Sequence, residues 1–167
     1  MKTGQLFILF VLFINAVLAQ DLKVAIEGNA TFNNALYSIV EAGNDFNSSI
    51  ESESSVFISI LYSNFWDSKN NPNEKWRINV HKSDLTWHPN LMLETKRTGK
   101  GYKPAKRGSP NIHDGDNFQI ITNTPTYFFG GKDEIVYIPL DLKISGMSVV
   151  MGAQEFETNI VFTVYGD

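Results

Sequence analysis

Residues 96–108 form the most basic stretch of the sequence. They hold six of the thirteen basic residues that remain once Lys2 near the N-terminus is set aside, and they include no acidic residue. The rest of the chain then carries seven basic against eighteen acidic residues. A basic loop on an acidic body attracts polyanions, and an aromatic ring within it can stack on a sugar or a base. The candidate ligand-binding residues of this stretch are Lys96, Arg97, Lys100, Tyr102, Lys103, Lys106 and Arg107.

The ligand that this stretch favours is an anionic glycan or a lipid headgroup, such as that of lipopolysaccharide. Nucleic acid is not expected, because an exported and acidic protein rarely meets it. A second interpretation needs no ligand, since charge runs are commonly solvated surface. Residues 96–108 would then be a hairpin tip that its charge keeps soluble.

Three tryptophans offer a different chemistry. Trp66 and Trp87 lie beside the turn residues Asp67 and Pro89, so both could be exposed and stack on sugar rings. Trp76 instead shares the apolar parity of its strand, which predicts a core position. The alternative for all three is an aromatic core residue whose polar tip reaches the sheet edge.

The sequence predicts no metal, no cofactor and no catalytic centre. Residues 113–117 (HDGDN) carry oxygen ligands at alternating positions, but the twelfth place from Asp114 is Pro125 rather than the bidentate Glu of a calcium loop. A type I′ turn with Asp-Gly at its tip explains the same residues. The chain has no cysteine, and it contains no GxSxG, HExxH or phosphate-loop motif. We therefore expect a protein that is not an enzyme.

Alternating apolar and polar residues, with almost no helical periodicity, predict the elements that position these side chains. Turn-forming clusters separate the alternating segments at 42–45, 69–73, 114–117 and 130–133. The pattern predicts an all-β fold, an antiparallel two-sheet β-sandwich of immunoglobulin-like topology with eight or nine strands. Segments 54–62 and 134–144 are apolar on both parities and are expected to be central strands. The other predicted strands cover 22–27, 35–40, 76–80, 91–98, 118–120 and 156–164, with Phe118 and Ile120 facing inward.

The first nineteen residues have the three parts of a cleavable secretory signal. Lys2 supplies the positive charge, Leu6 to Ile14 is an unbroken apolar run, and Val17 and Ala19 place small residues before Gln20. This run is shorter than the roughly 20 residues that a membrane-spanning helix needs, so no transmembrane anchor is expected in the mature chain. We therefore predict a leader at 1–19 and one β-sandwich domain at 20–167. The absence of cysteine favours a bacterial periplasmic, cell-surface or extracellular protein.

The C-terminal segment Glu155–Tyr165 (EFETNIVFTVY) resembles the last strand of bacterial pilin-like and spore-coat-U-like secreted β-sandwich proteins. The similarity covers the pattern of 135–165. Two features differ: the cysteine pair of many such subunits is missing, and no separate donor-strand extension precedes Leu22. The resemblance implies a structural or adhesive role at the cell surface, without catalytic residues.

Export, the sandwich pattern and the missing catalytic motifs together predict a non-enzymatic surface or periplasmic module, pilin-like or adhesin-like. Its expected partner is another cell-surface protein, an anionic glycan or a lipid headgroup. The alternative is a carbohydrate-binding module that uses exposed aromatic residues, among them Trp66, Trp87 and Tyr102, together with the basic loop.

Overall fold

The computed structural model describes residues 22–32, 49–62, 75–104, 108–151 and 155–166. Within these residues the chain is all-β except for a short 3-10 helix at Val149–Met151, and the strands form two antiparallel sheets. The predicted fold class and its two antiparallel sheets are thereby confirmed. The predicted leader at 1–19 and the predicted strand at 35–40 lie outside the described residues.

Ten strands are described, and we number them in chain order. They are β1 (Leu22–Glu27), β2 (Ser49–Glu51), β3 (Val56–Tyr62), β4 (Lys75–Asp84), β5 (Met92–Arg97), β6 (Asn111–His113), β7 (Gln119–Ile120), β8 (Thr126–Lys132), β9 (Ile135–Ser145) and β10 (Thr158–Gly166). The larger sheet has the order β1-β3-β9-β5-β7, with β2 also paired to β9, and the smaller sheet has the order β10-β4-β8-β6. The sequence predicts only eight or nine strands and does not identify β2, β6 or β8.

A shared apolar core lies between the two sheets. In β4, Trp76, Ile78 and Val80 are at most 1% exposed, as their parity predicts. They pack in one cluster with residues of the larger sheet such as Ile58 and Ile138. Each such side chain contributes about 1.5–3 kcal/mol when it is fully buried. The cluster also receives Ile160, Phe162 and Val164 of β10, again on the predicted parity.

The prediction of a turn at 130–133 is wrong for its first three residues, because β8 continues to Lys132. The chain reverses at Asp133, whose φ is 65°. Gly131 lies within the strand, and this position requires glycine because the indole of Trp76 lies directly over it. A Cβ at Gly131 would lie 2.7 Å from Trp76 Cζ2 and 2.8 Å from the carbonyl oxygen of Asn111. Packing against a neighbouring strand, and not a chain reversal, is what requires glycine here.

The predicted inward parity of 118–120 is also wrong. Ile120 is 49% exposed, and the buried residue is the next one along the chain, Ile121, at 1% exposure. Phe118 is half-buried, and the amines of Lys96 and Lys143 lie 4.2 and 4.3 Å from its ring centroid. These cation–π contacts give the aromatic ring a favourable position outside the core.

No helix of the described residues is both long and apolar enough to cross a membrane.

Candidate functional site

Arg97, a candidate anion-binding residue, is not on the exposed surface. It ends β5 on the same parity as the buried residues Leu93 and Thr95, and only 9% of it is exposed. Its guanidinium donates hydrogen bonds to the carbonyl oxygen of Asp114 from Nε (3.0 Å) and Nη2 (2.8 Å), and to that of Gly99 from Nη1 (2.8 Å). The cation therefore ties the 114–117 turn to the end of β5.

Two further cations of the basic stretch are paired within the molecule. Lys96 Nζ lies 3.4 Å from Glu51 Oε2 and also contacts the Phe118 ring. Lys103 Nζ lies 3.0 Å from Asp133 Oδ2, and these two side chains are only 12% and 6% exposed. Lys106 and Arg107 lie outside the described residues.

Lys100 differs from the other described cations of the stretch. It is exposed, and no described carboxylate pairs with it. The described part of the basic stretch thus presents one unpaired positive charge, which is a weak basis for capturing a polyanion.

Of the two candidate tryptophans, the structure describes Trp87. Its ring packs against the core cluster and its Nε1 donates a hydrogen bond to the carbonyl oxygen of Leu91 at 2.8 Å. Lys82 Nζ lies 5.4 Å from its ring centroid. Trp66 lies outside the described residues. Trp76 is a core residue as predicted, and its Nε1 donates to the carbonyl oxygen of Asp133 at 2.7 Å.

Tyr102, the aromatic residue of the basic stretch, is 52% exposed and stacks on Tyr137 of β9. The two ring centroids are 5.4 Å apart and the planes differ by 13°. Tyr137 is 41% exposed, and its ring also meets the half-buried Phe57 edge-on at 6.2 Å. We call Tyr102 and Tyr137, with Phe57 as their support, the tyrosine platform.

Backbone hydrogen bonds fix Tyr102 in this position. Its N–H donates to the carbonyl oxygen of Val136, and the N–H of Val136 donates to its carbonyl oxygen, both at 2.9 Å. Gly101 makes this bridge possible, because its φ is 65° and a Cβ there would collide with the carbonyl oxygen of Val136. The loop that carries Tyr102 is thereby joined to β9.

Tyr137 is held in a strained conformation. In the β3–β9 ladder Ile58 faces Ile138 and Ile60 faces Ile135, so Val136 and Tyr137 together oppose Ser59 in a β-bulge. Tyr137 has a φ of 54°, and its N–H donates to Ser59 Oγ at 3.1 Å. A bulky residue in this region costs of the order of 1–3 kcal/mol, and such strain concentrates at functional sites.

Sequence reasoning identifies Tyr102 but misses Tyr137. A signal was present, because Tyr137 shares its parity with Pro139, Asp141 and Lys143, the less buried positions of β9. Because segment 134–144 is apolar on both parities, the sequence predicts that both faces of β9 are buried, and Tyr137 is therefore not predicted to be exposed. The bulge, which depends on pairing with β3, has no local sequence signature.

The 114–117 turn forms a second, polar surface. Asp114 and Gly115 have φ values of 63° and 73°, as the central residues of the predicted type I′ turn require. The hydroxyl of Tyr127 donates to Asp114 Oδ2 at 2.6 Å, and the turn borders an open cleft of about 340 Å³. No three metal-binding side chains of the described residues come together here or elsewhere.

An apolar cleft of about 280 Å³ opens between β1 and β10. Ile26 shares the parity of Leu22 and Val24, which pack against the core, but it borders this cleft and is 50% exposed. The cleft is lined by Ile26, Gly28, Val56, Leu140, Leu142, Thr158, Asn159, Ile160 and Phe162.

Asp84, at the end of β4, is the centre of a polar cluster that joins β4 to β10. Partial burial by itself raises the pKa of Asp84, but hydrogen bonds from Lys82, Asn123 and Thr158 and the charge of Lys82 lower it below the ordinary value of 3.8. The carboxylate therefore stabilises the folded state in its charged form.

Comparison with known proteins gives no assignment: no family model, curated protein or solved structure matches the chain.

Proposed function

We propose that the chain is an exported, non-enzymatic interaction module that binds its partner through the tyrosine platform. The observation that carries this proposal is the parallel pair of exposed rings, Tyr102 on Tyr137, held by a two-hydrogen-bond bridge and a strained β-bulge. Backbone strain of this kind concentrates at functional sites, and the strain at Tyr137 therefore supports the proposal.

Tyrosine suits a recognition surface because it offers a large, rigid and amphipathic contact area at a small cost in conformational entropy. Here the bridge to Val136 and the edge of Phe57 restrict both rings before a ligand arrives. A restricted surface loses less entropy on binding, so the same contacts yield higher affinity.

Export to the periplasm, the cell surface or the medium of a bacterium is part of the proposal and depends on the leader at 1–19. So is a single domain at 20–167 with immunoglobulin-like topology. The cell-surface role implied by the pilin-like resemblance agrees with a binding module, and the sequence offers no catalytic motif that would favour an enzyme.

An array that displays neutral glycans, anionic glycans and anionic lipid headgroups tests the proposal. We expect the mature chain to bind at least one class, and the double variant Tyr102→Ala/Tyr137→Ala to lose that binding. Tyr165→Ala is the matched control, since Tyr165 is also 41% exposed but lies on the smaller sheet. Equal binding by the double variant, with the unfolding midpoint unchanged, would refute the assignment of the surface.

A further inference from the structure

We propose that Tyr102 and Tyr137 form a site of oxidative cross-linking, at which a one-electron oxidant joins the two phenol rings as dityrosine. The cross-link ties the loop that carries Tyr102 to β9 by a covalent bond. This inference goes beyond the proposed function, because it concerns a modification of the chain and needs no bound ligand.

The two rings already lie in contact. Their centroids are 5.4 Å apart and their planes differ by 13°, so each ring covers one face of the other. Dityrosine joins the ring carbons that are ortho to the two hydroxyl groups. Rotation of the side chains can bring these carbons together because neither ring is enclosed: Tyr102 is 52% exposed and Tyr137 is 41% exposed. The same exposure leaves both phenols accessible to an external oxidant.

The backbone keeps the two tyrosines side by side. Tyr102 exchanges two hydrogen bonds with Val136, the residue that precedes Tyr137, both at 2.9 Å. Tyr137 is fixed in turn by the β-bulge, where its N–H donates to Ser59 Oγ at 3.1 Å. Groups that are held together in this way react as if within one molecule, without waiting for a chance encounter. We therefore expect coupling within the pair to be faster than coupling between molecules.

The reaction balances with hydrogen peroxide as the oxidant, delivered through a haem peroxidase. Each phenol loses one electron and its hydroxyl proton and becomes a phenoxyl radical. The unpaired electrons of the two radicals form a new carbon–carbon bond between ortho positions. Each ortho hydrogen then leaves as a proton while a ring oxygen takes one up, which restores both phenols. In total two electrons and two protons leave the protein, and they convert one hydrogen peroxide into two water molecules.

The cross-link gives this chain what a disulfide gives many exported proteins. The sequence contains no cysteine, so a disulfide within the chain cannot form. A bond between residues 102 and 137 closes a long loop, and closure restricts the unfolded chain far more than the folded one. The modified protein should therefore be more stable than the unmodified one.

Peroxidase treatment of the mature chain tests the proposal. A soluble haem peroxidase and hydrogen peroxide are added at low and at high protein concentration, and tryptic peptides are identified by mass spectrometry. We expect peptide 101–106 joined to peptide 133–143, with a mass equal to their sum less two hydrogen atoms. The yield of this product in the monomer band of a denaturing gel should not depend on protein concentration. Free tyrosine coupled in the same mixture shows that the oxidant is active.

Variants locate the reaction. Tyr102→Phe and Tyr137→Phe should each abolish the linked peptide, because each removes one phenol while it keeps the aromatic ring. Tyr165→Phe is the matched control, since Tyr165 is also 41% exposed but lies on the smaller sheet beneath the guanidinium of Arg77. The treated parent should melt several degrees above the untreated one, whereas treated Tyr102→Phe should not.

Three results would overturn the proposal. The first is that no linked peptide forms although free tyrosine couples. The second is that Tyr102 and Tyr137 are linked only between molecules. The third is that the chain unfolded in urea gives the same product in the same yield, because the folded geometry is then not its cause. None of these results decides whether the array ligand binds, so the proposed function is tested separately.

Discussion

Replacing Arg97 by methionine tests whether this residue is a structural cation or a ligand contact. The substitution keeps most of the side-chain volume but removes three hydrogen bonds, two to the carbonyl oxygen of Asp114 and one to that of Gly99. Hydrogen bonds to charged groups each contribute about 1.5–3 kcal/mol net. Transfer of the cation out of water opposes that gain.

We therefore expect Arg97→Met to lower the free energy of unfolding by about 2–4 kcal/mol, less than the sum of its three bonds because the burial cost also disappears. For a domain of this size that is a fall in Tm of about 5–15 °C. Arg97→Lys should recover only part of the loss, since an ammonium cannot reproduce the planar fork that reaches two carbonyl groups.

Urea unfolding followed by tryptophan fluorescence measures these values. Lys100→Ser is the matched control, because it removes an exposed cation three residues away and should change stability by less than about 0.5 kcal/mol. The reasoning is refuted if Arg97→Met unfolds at the same urea concentration as the parent, or if Lys100→Ser costs as much.

Three further predictions concern the core, the pH dependence and the leader. Gly131→Ala should destabilise the fold by about 1–3 kcal/mol through overpacking against Trp76, whereas Ser109→Ala, at an exposed position, should change stability by less than about 0.5 kcal/mol; equal unfolding midpoints would contradict this. Because the pKa of Asp84 is lowered in the folded state, its charged form should stabilise the fold above about pH 4 and lose that contribution as the pH falls further. Asp84→Asn should then be less stable than the parent at pH 7 and approach it below pH 4 in urea titrations, and a constant difference at all pH values would exclude the linkage. Intact mass of the exported protein should show a chain that begins at Gln20, and retention of Met1 would argue against export.

Period-two alternation was sufficient to predict much of the fold. It locates β4 and β10, and it assigns the buried side of β4 correctly because Trp76, Ile78 and Val80 face a continuous core. It failed where a contact between strands decides the residue type. The two glycines at 130 and 131 predict a turn, whereas in the structure Gly131 lies in β8 and its glycine makes room for the indole of Trp76.

The candidate site was less accessible to sequence reasoning. Composition identifies Tyr102, which lies in the basic stretch, but it also predicts that Arg97 belongs to the exposed loop, whereas the parity that Arg97 shares with Leu93 and Thr95 places it inside. Sequence reasoning misses Tyr137 because β9 is apolar on both parities, which predicts burial on both faces, and because the bulge in the β3–β9 pairing has no local sequence signature. Charge and composition identify a surface segment, whereas the partners of each side chain emerge only when the strands are paired.

Tyrosine nitration read by mass spectrometry tests the central claim, that the tyrosine platform is the binding surface, most directly. Tyr102 and Tyr137 should nitrate more slowly when a ligand that the array identifies is bound, because the ligand covers both side chains. Tyr127 and Tyr165, which are 42% and 41% exposed on the other sheet, should react at an unchanged rate. Unchanged nitration of Tyr102 and Tyr137 under conditions in which that ligand is bound would contradict the account.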